Sequence, residues 1–398
     1  MRCSCCQLAW PMCSLRRCFF AGALLFAFFQ IFQLSDFRFD SDNFGSLVTQ
    51  HTAWNPIEPA ASLEIETAPN HSIPLGIVVV SDHFFQRRYW TQLQSQRCFA
   101  KKHGYEHVVL TSREYQKCQH IHDFFFKKHC TIAEFLETRP SGWRVVVLDA
   151  DVVAVVLERG LDRWAGYPSD VQLYERITMH EIMAGNYMLR NGPFARNFLR
   201  LWASWHDKKP PGFSSSDNGA IHLVVMQITQ VRGFEHCRAL YGNLTAWVDN
   251  LGPYWKFVMC TKAALGPPRN WAAHGGNLTI WPRAQFFVVD GVYLRKMASH
   301  TMGPVMHHGM KESRDVVGHY YDGMVGLGKC QVSNRAVQQE WVLSQVALRT
   351  ARTYSEYFQQ GDDCSQCVER CIARFTCLPL EDGEAPLPNR LCINCTQV

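Results

Sequence analysis

Arg144-Val145-Val146-Val147-Leu148 runs from the turn residues Ser141-Gly142 straight into Asp149-Ala150-Asp151, and this stretch limits the fold more than any other in the 398-residue chain. It is short, mostly β-branched and bounded by turn residues, so it reads as a strand buried on both faces of an α/β sheet. In such sheets ligands bind at the carboxyl ends of the strands, where the chain leaves the core. Two carboxylates one residue apart at that edge suit a single divalent cation, which in turn holds a diphosphate. The plain alternative is a strand end followed by two solvated acids.

The flanking sequence supports the sheet. Leu75–Val80 reads as a first buried strand, and Tyr89–His103 as a helix stopped by Gly104. Glu106–Leu110 is a second strand and Phe124–Glu137 a second helix, leading into the Asp149 strand. This β-α-β-α-β order predicts an α/β fold with a mostly parallel, twisted sheet and helices on both faces. Residues 74–333, about 260 in all, suffice for one such domain. No internal repeat is present.

Both ends of the chain point to the secretory pathway. Residues 18–34 carry no charge, are rich in Phe, Leu and Ala, and follow Arg16-Arg17. At about 1.5 Å per residue they span roughly 25 Å, near the short limit for crossing a bilayer. The positive-inside bias puts residues 1–17 in the cytosol and the rest in the lumen. The segment is bulky and lacks a small-x-small cleavage site, which favours an uncleaved signal anchor over a signal peptide. Cys3, Cys5, Cys6, Cys13 and Cys18 crowd this end, where palmitoylation is plausible chemistry. Residues 35–73 read as a polar, proline-dotted stem. Of 17 cysteines, five lie at the N-terminus, leaving an even twelve that an oxidising lumen would pair. Four sequons follow the anchor, at Asn70, Asn243, Asn277 and Asn394. After Ser333-Asn334, the spacing of Val337, Trp341, Leu348 and Ala351 predicts a helix, followed by a tail with Cys364, Cys367, Cys371, Cys377, Cys392 and Cys395. That tail reads as disulfide-stapled rather than zinc-binding in a lumenal protein. The expected address is the Golgi membrane, single-pass type II. A net charge of +5 without a long basic block gives no sign of a nucleic-acid partner.

Three further segments carry chemistry. Ala184-Gly185, read as the end of a strand, permits close backbone approach to a ligand, or serves packing alone. Asp217 and Asn218 stand where the flexible stretch Lys208–Ser216 enters an apolar helix; Asp217 either meets substrate or caps that helix. In His307-His308-Gly309-Met310-Lys311, downstream of the strand-like Phe286–Val289, a neutral imidazole suits a Mn²⁺-type ion and the lysine suits phosphate.

Together, the Asp-x-Asp after a buried strand, Ala184-Gly185, Asp217-Asn218 and the late His-Gly-x-Lys resemble metal-dependent glycosyltransferases of the GT-A fold. The likeness is strongest to the retaining galactosyl- and xylosyltransferase type. Glu181–Tyr187 and Asp217–His222 are similar to the hallmark of an uncharacterised family abundant in nematodes. The resemblance spans about residues 74–325 and leaves out the cysteine-rich tail. It implies transfer of a hexose or pentose from a nucleotide sugar, most readily a UDP-sugar, to a glycan, glycoprotein or glycolipid acceptor. It also implies Mn²⁺ or another divalent cation, bound by Asp149, Asp151 and His308, with His307 left open as the alternative imidazole. By the same resemblance Asp149, Asp151, Ala184, Gly185, Gly309 and Lys311 would line the donor, Lys311 holding its diphosphate. Asp217 and Asn218 would hold the transferred sugar or sit beside its reacting carbon. That type usually carries His two residues before the glycine and Trp after the lysine; here Glu312 follows Lys311, a departure that bears on the exact metal ligand more than on the reaction class. Two other readings stay open. A haloacid-dehalogenase-like phosphatase also uses Asp-x-Asp, but it places the motif after its first strand and needs a distant acidic pair, for which Asp362-Asp363 is the candidate. A non-catalytic lumenal carbohydrate-binding or scaffold protein on the same fold is the third.

Overall fold

In the computed structural model, residues 74–343 are described, apart from 178–179, 212–215, 245–250, 267, 284, 292–293, 299–303 and 335–337. The chain opens with β1 (Leu75–Val80), α1 (His83–Arg88), α2 (Trp90–His103), β2 (Glu106–Leu110), α3 (Phe124–Glu137) and β3 (Arg144–Leu148). It continues through β4 (Val153–Ala154), α4 (Asp162–Ala165), β5 (Val171–Tyr174), β6 (Tyr187–Arg190), α5 (Pro193–Ala203), α6 (Ser216–Thr229), α7 (Phe234–Gly242) and α8 (Leu251–Leu265). The remaining elements are β7 (Asn270–Ala273), β8 (Gly276–Trp281), β9 (Val288–Asp290), β10 (Leu294–Ala298), β11 (Met306–His308), α9 (Ser313–Val317), α10 (Gly323–Gly328) and β12 (Gln338–Leu343).

Local signals account for the first half. Asp82 caps α1 by accepting from the Phe85 N–H at 2.9 Å, and Asp123 caps α3 by accepting from the Phe125 N–H at 3.0 Å. Gly104 ends α2 at φ +69°, a left-handed turn that a side chain would strain. The sheet order is β2-β1-β3-β6-β5-β8-β7. Pairs β1/β2, β1/β3 and β5/β8 are parallel, whereas β3/β6, β5/β6 and β7/β8 are antiparallel. Five strands therefore point one way, as expected, while β6 and β7 run back. The sheet is mixed because only His274-Gly275 separate β7 from β8, a hairpin turn, and because the chain leaving β5 doubles back on itself, Glu175 pairing antiparallel with Ile182 before β6 begins.

Strand alternation divides the core. Val78, Val80, Val145 and Val147 face α3, α5 and α6, packing with Phe126, Ile132, Phe198 and Val224. Ile77, Val79, Val146 and Leu148 face the other way, onto Leu93 and Phe99 of α2 and onto Val153, Val288 and Met306. Those last three belong to a small sheet, β4-β11-β9, in which β11 runs antiparallel to β4 and parallel to β9. All five residues of β3 are buried, so each apolar one contributes roughly 1.5–3 kcal/mol of burial. Two covered faces explain why the sequence shows an unbroken apolar run and not an alternating one.

Residues 338–343 form β12, antiparallel to β10, in place of the helix that spacing predicts from Asn334. Trp341 and Val342 are good strand formers, and a pairing partner outweighs a weak helical spacing. Among the described residues no helix is long and apolar enough to cross a membrane. The expected anchor, stem and cysteine-rich tail lie outside the described residues.

Three disulfides form, Cys98–Cys330, Cys118–Cys130 and Cys237–Cys260. The first joins α2 to the segment after α10 across 232 residues of chain. Closing so long a loop removes much chain entropy from the unfolded state. Replacing both partners, Cys98→Ala with Cys330→Ala, is expected to cost about 3 kcal/mol, a fall of roughly 6–12 °C in Tm by calorimetry. An unchanged Tm would mean that this bond does not hold the C-terminal segment in place.

Candidate metal centre

Asp149 directly follows β3, and its backbone N–H donates to the Asn186 side-chain oxygen at 3.0 Å. Two residues on, the Asp151 carbonyl accepts from the Met310 N–H at 3.0 Å, which stitches this loop to the one after β11. His308 ends β11. Its Nε2 lies 3.6 Å from Asp149 Oδ2 and 3.5 Å from Asp151 Oδ1. Candidate ligand atoms of Asp149, Asp151 and His308 all fall within 4.8 Å of one another, a group able to hold a metal ion. His307 points to the opposite side of the strand, its Nδ1 2.6 Å from the Tyr320 hydroxyl. Strand alternation thus selects one imidazole of the doublet.

Behind His308 runs a chain of paired charges. Its Nδ1 is 2.8 Å from Asp290 Oδ1. Arg176 grips Asp290 through Nε at 2.9 Å and a terminal nitrogen at 3.2 Å, and its other terminal nitrogen meets Glu181 at 2.8 Å. The second Glu181 oxygen accepts from the Tyr254 hydroxyl of α8.

On the other flank, Lys128 of α3 is buried with its Nζ 3.2 Å from Asp149 Oδ1 and 3.7 Å from Asp217 Oδ2. The neighbouring His129 donates from Nε2 to Asp217 at 3.4 Å, accepts the Tyr187 hydroxyl at Nδ1 at 2.9 Å, and stacks on Trp202 at 3.5 Å. Lys311 pairs with the outer oxygen of Asp151. Burial pulls the His129 imidazole down to about 4 against the pull of Asp217, so this ring is neutral at pH 7. Burial also opposes charge on His308, yet Asp151, Asp149 and Asp290 outweigh it and push the ring up to about 10. For Asp149, burial works towards the neutral acid, but Lys128 and His308 hold the carboxyl well below the usual range.

The other residues expected from sequence fall around this cluster. Ala184 is buried in the core, and Ala184-Gly185 precede β6 rather than ending a strand. A Cβ on Gly185 would overlap the Asp149 carboxylate, so only glycine admits the acid there. Gly309 takes φ +84°, turning the chain away after His308 towards Lys311. Asp217 lies within the first turn of α6, and its side chain faces Lys128 and His129. Asn218 is half-buried beside it, and no hydrogen bond among the described residues ties it to the cluster.

Lys128, His129, Arg176 and Asp290 were not anticipated. A signal existed for two of them. Phe126, His129 and Ala133 share one helical stripe, which places a polar ring on the core face of α3. Asp290 ends a buried strand, just as Asp149 follows one. Nothing local marks Arg176.

The profile of a family described as "Protein of unknown function, DUF273" matches residues 96–318. No curated protein matches the chain. Similar solved structures include a glycosyltransferase involved in the glycosylation of the major capsid of PBCV-1, with 14% identity and a TM-score of 0.31 over 37% of this chain and 74% of that one. The apo-form glycosyltransferase GlyE of Streptococcus pneumoniae TIGR4 is 11% identical, with a TM-score of 0.29 over 38% of this chain and 43% of its own. A mutant Drosophila β1,4-galactosyltransferase 7 in complex with manganese, UDP-Gal and xylobiose is 14% identical, with a TM-score of 0.21 over 32% of this chain. The chain spans 51% of the length of that protein.

The bridging ammonium yields a test in the metal-free protein. Lys128→Met leaves two carboxylates uncompensated and is expected to cost about 3 kcal/mol at pH 7, read by urea denaturation. Lys128 helps hold Asp149 below its unfolded pKa, so the stability it supplies is present above about pH 4 and fades as pH falls. The gap between variant and wild type should therefore narrow at pH 3. An equal gap at both pH values would show that Lys128 acts by packing and not by charge.

Proposed function

For this chain, which belongs to the DUF273 family, we propose the activity of a metal-dependent glycosyltransferase with a GT-A-like fold. It moves a hexose or pentose from a nucleoside diphosphate sugar, a UDP-sugar, to a hydroxyl of a glycan, glycoprotein or glycolipid acceptor, with retention at the anomeric carbon. In the transfer the bond from that carbon to the diphosphate oxygen breaks and a bond to the acceptor oxygen forms.

The observation that carries this reading is the charge of the cluster. Asp149, Asp151, Asp217, Asp290 and Glu181 supply five carboxylates, and Lys128, Lys311 and Arg176 pair with them as three permanent cations. With His308 also protonated one negative charge is left over, and it becomes two when His308 gives up that proton to take an ion beside Asp149 and Asp151. A divalent cation balances that excess, and a donor set of two carboxylates and one imidazole suits Mn²⁺. Bound there, the ion would neutralise charge developing on the departing diphosphate.

The protein's own groups do the rest. Lys311 has a half-exposed side chain on the outer oxygen of Asp151, where it can turn to a diphosphate. Gly185 and Gly309 keep side chains away from the donor's path. Asp217, with Asn218 next to it, takes hydroxyls of the transferred sugar or stands beside the reacting carbon. Lys128 joins it to Asp149, so the sugar-binding acid and the metal-binding acid keep a fixed relation. We place this domain in the Golgi lumen, on a type II anchor at residues 18–34. Three disulfides and an exposed sequon asparagine, Asn243, support that setting.

Two measurements test the reading. His308 holds a proton at pH 7 without metal, so Mn²⁺ binding should release about one proton per ion, seen by calorimetry in buffers of different ionisation enthalpy. Heat that is independent of buffer would remove His308 from the ligand set. With Mn²⁺ present, Asp151→Ala should lose UDP affinity and on the order of a hundredfold or more in donor turnover. Asp217→Ala should keep UDP binding while losing transfer. If UDP binds Asp151→Ala as tightly as wild type, the metal assignment is wrong.

A further inference from the structure

Asp149 and Asp151 leave the main sheet after β3, whereas His308 ends a strand of the small β4-β11-β9 sheet. The pairing of β4 with β11 and the Met310–Asp151 bond already tie the two backbones together, and what they leave open is the set of the His308 ring and of the Asp149 carboxylate. We propose that the connection between β5 and β6 fixes these two side chains. Arg176 positions His308 through Asp290, while Gly185 and Asn186 position Asp149. The inference rests on the reading of Asp149, Asp151 and His308 as a metal centre.

On the His308 side, the ring must present the lone pair of Nε2 to an ion. A carboxylate at Nδ1 enforces this, because the hydrogen stays on Nδ1 and the ring cannot turn without losing a charge-assisted bond. Asp290 is itself buried, and it is held by two nitrogens of Arg176 in the planar, two-point manner that suits a guanidinium. The third bond of Arg176, to Glu181, is anchored by Tyr254 of α8. Arg176 is thus braced from behind.

On the Asp149 side, the Asn186 amide oxygen fixes the Asp149 backbone N–H, and the missing side chain of Gly185 leaves the space that its carboxylate occupies. The connection between these two contacts is tied shut across its neck. Met183 N–H bonds to the Tyr174 carbonyl at 3.0 Å, Arg176 N–H bonds to the Glu181 carbonyl at 2.9 Å, and Glu175 pairs with Ile182 as an antiparallel bridge. Through these bonds residues 174–176 and 181–183 hold one another, so the position of Arg176 is coupled to that of Gly185 and Asn186. Arg176 and Asp290 are therefore positioning residues. Neither is assigned to the substrate.

The test is Mn²⁺ affinity, measured by the electron paramagnetic resonance signal of free Mn²⁺ in titrations of the whole lumenal chain without nucleotide. Wild type should bind one ion, and Asp151→Ala should not. Arg176→Gln and the near-isosteric Asp290→Asn should each weaken binding by roughly 10–100-fold. Arg176→Lys should recover part of the loss, because an ammonium pairs with Asp290 at one point only. A merely structural role would lower the Tm of Arg176→Gln and leave Mn²⁺ affinity alone. Binding within twofold of wild type in both Arg176→Gln and Asp290→Asn overturns the positioning role while the metal centre stands. No Mn²⁺ binding by wild type overturns the metal centre and this inference with it. If Arg176→Gln does not fold, Asp290→Asn and Arg176→Lys decide alone.

Discussion

The ammonium of Lys128, buried between Asp149 and Asp217, is the interaction on which the rest of this site depends. Asp149 belongs to the edge of the sheet and Asp217 to the first turn of α6. Without a cation between them, two carboxylates in a poorly solvated place would repel or take up protons. The ammonium holds the Asp149 carboxyl below its usual range, and it comes from α3, whose apolar face is pinned between sheet and α5. Core packing is thus what holds the charge in place. His129, one residue on, is neutral and stacked on Trp202, so it adds a hydrogen bond to Asp217 without adding charge.

A second support lies on the opposite face. Gln92 and Gln96 are one turn apart on α2 and point the same way. Gln92 donates to the Met310 carbonyl at 2.7 Å, and Gln96 donates to the carbonyls of Val152 at 2.9 Å and Asp149 at 3.3 Å. One helix face therefore satisfies backbone groups of both loops that carry the candidate ligands. The Cys98–Cys330 bond adds a covalent tie from the same helix to the C-terminal segment. Loops that bear function are held by bonds to rigid elements, the usual division of work between scaffold and site.

The cost of this arrangement is visible in stability terms. Five carboxylates gathered in one region work against folding until cations meet them, and Lys128, Lys311, Arg176 and the protonated His308 still leave one negative charge over. Structures that break the rule of full charge pairing tend to do so where they bind something.

The strands and helices from Leu75 to Leu148 were legible in the sequence because their causes are local. Alternation, apolar runs and the stop at Gly104 act over a few residues, and the observed bounds of β1, α2, β2, α3 and β3 fall within one residue of those expected, whereas the short helix α1 has no counterpart in the expectation. The residue types for the candidate site, Asp149, Asp151 and a late histidine for a metal and Asp217 beside them, were also legible, since chemistry restricts which side chains can serve. Tertiary structure alone chose His308 over His307, because that depends on which face β11 turns to the main sheet. It also set β6 antiparallel, made a strand of residues 338–343, and brought Lys128 and Arg176 to acids as many as 114 residues away in the chain. A charge pair across such a separation leaves no mark on either neighbourhood in the sequence. Its energy exists only once packing has closed the distance.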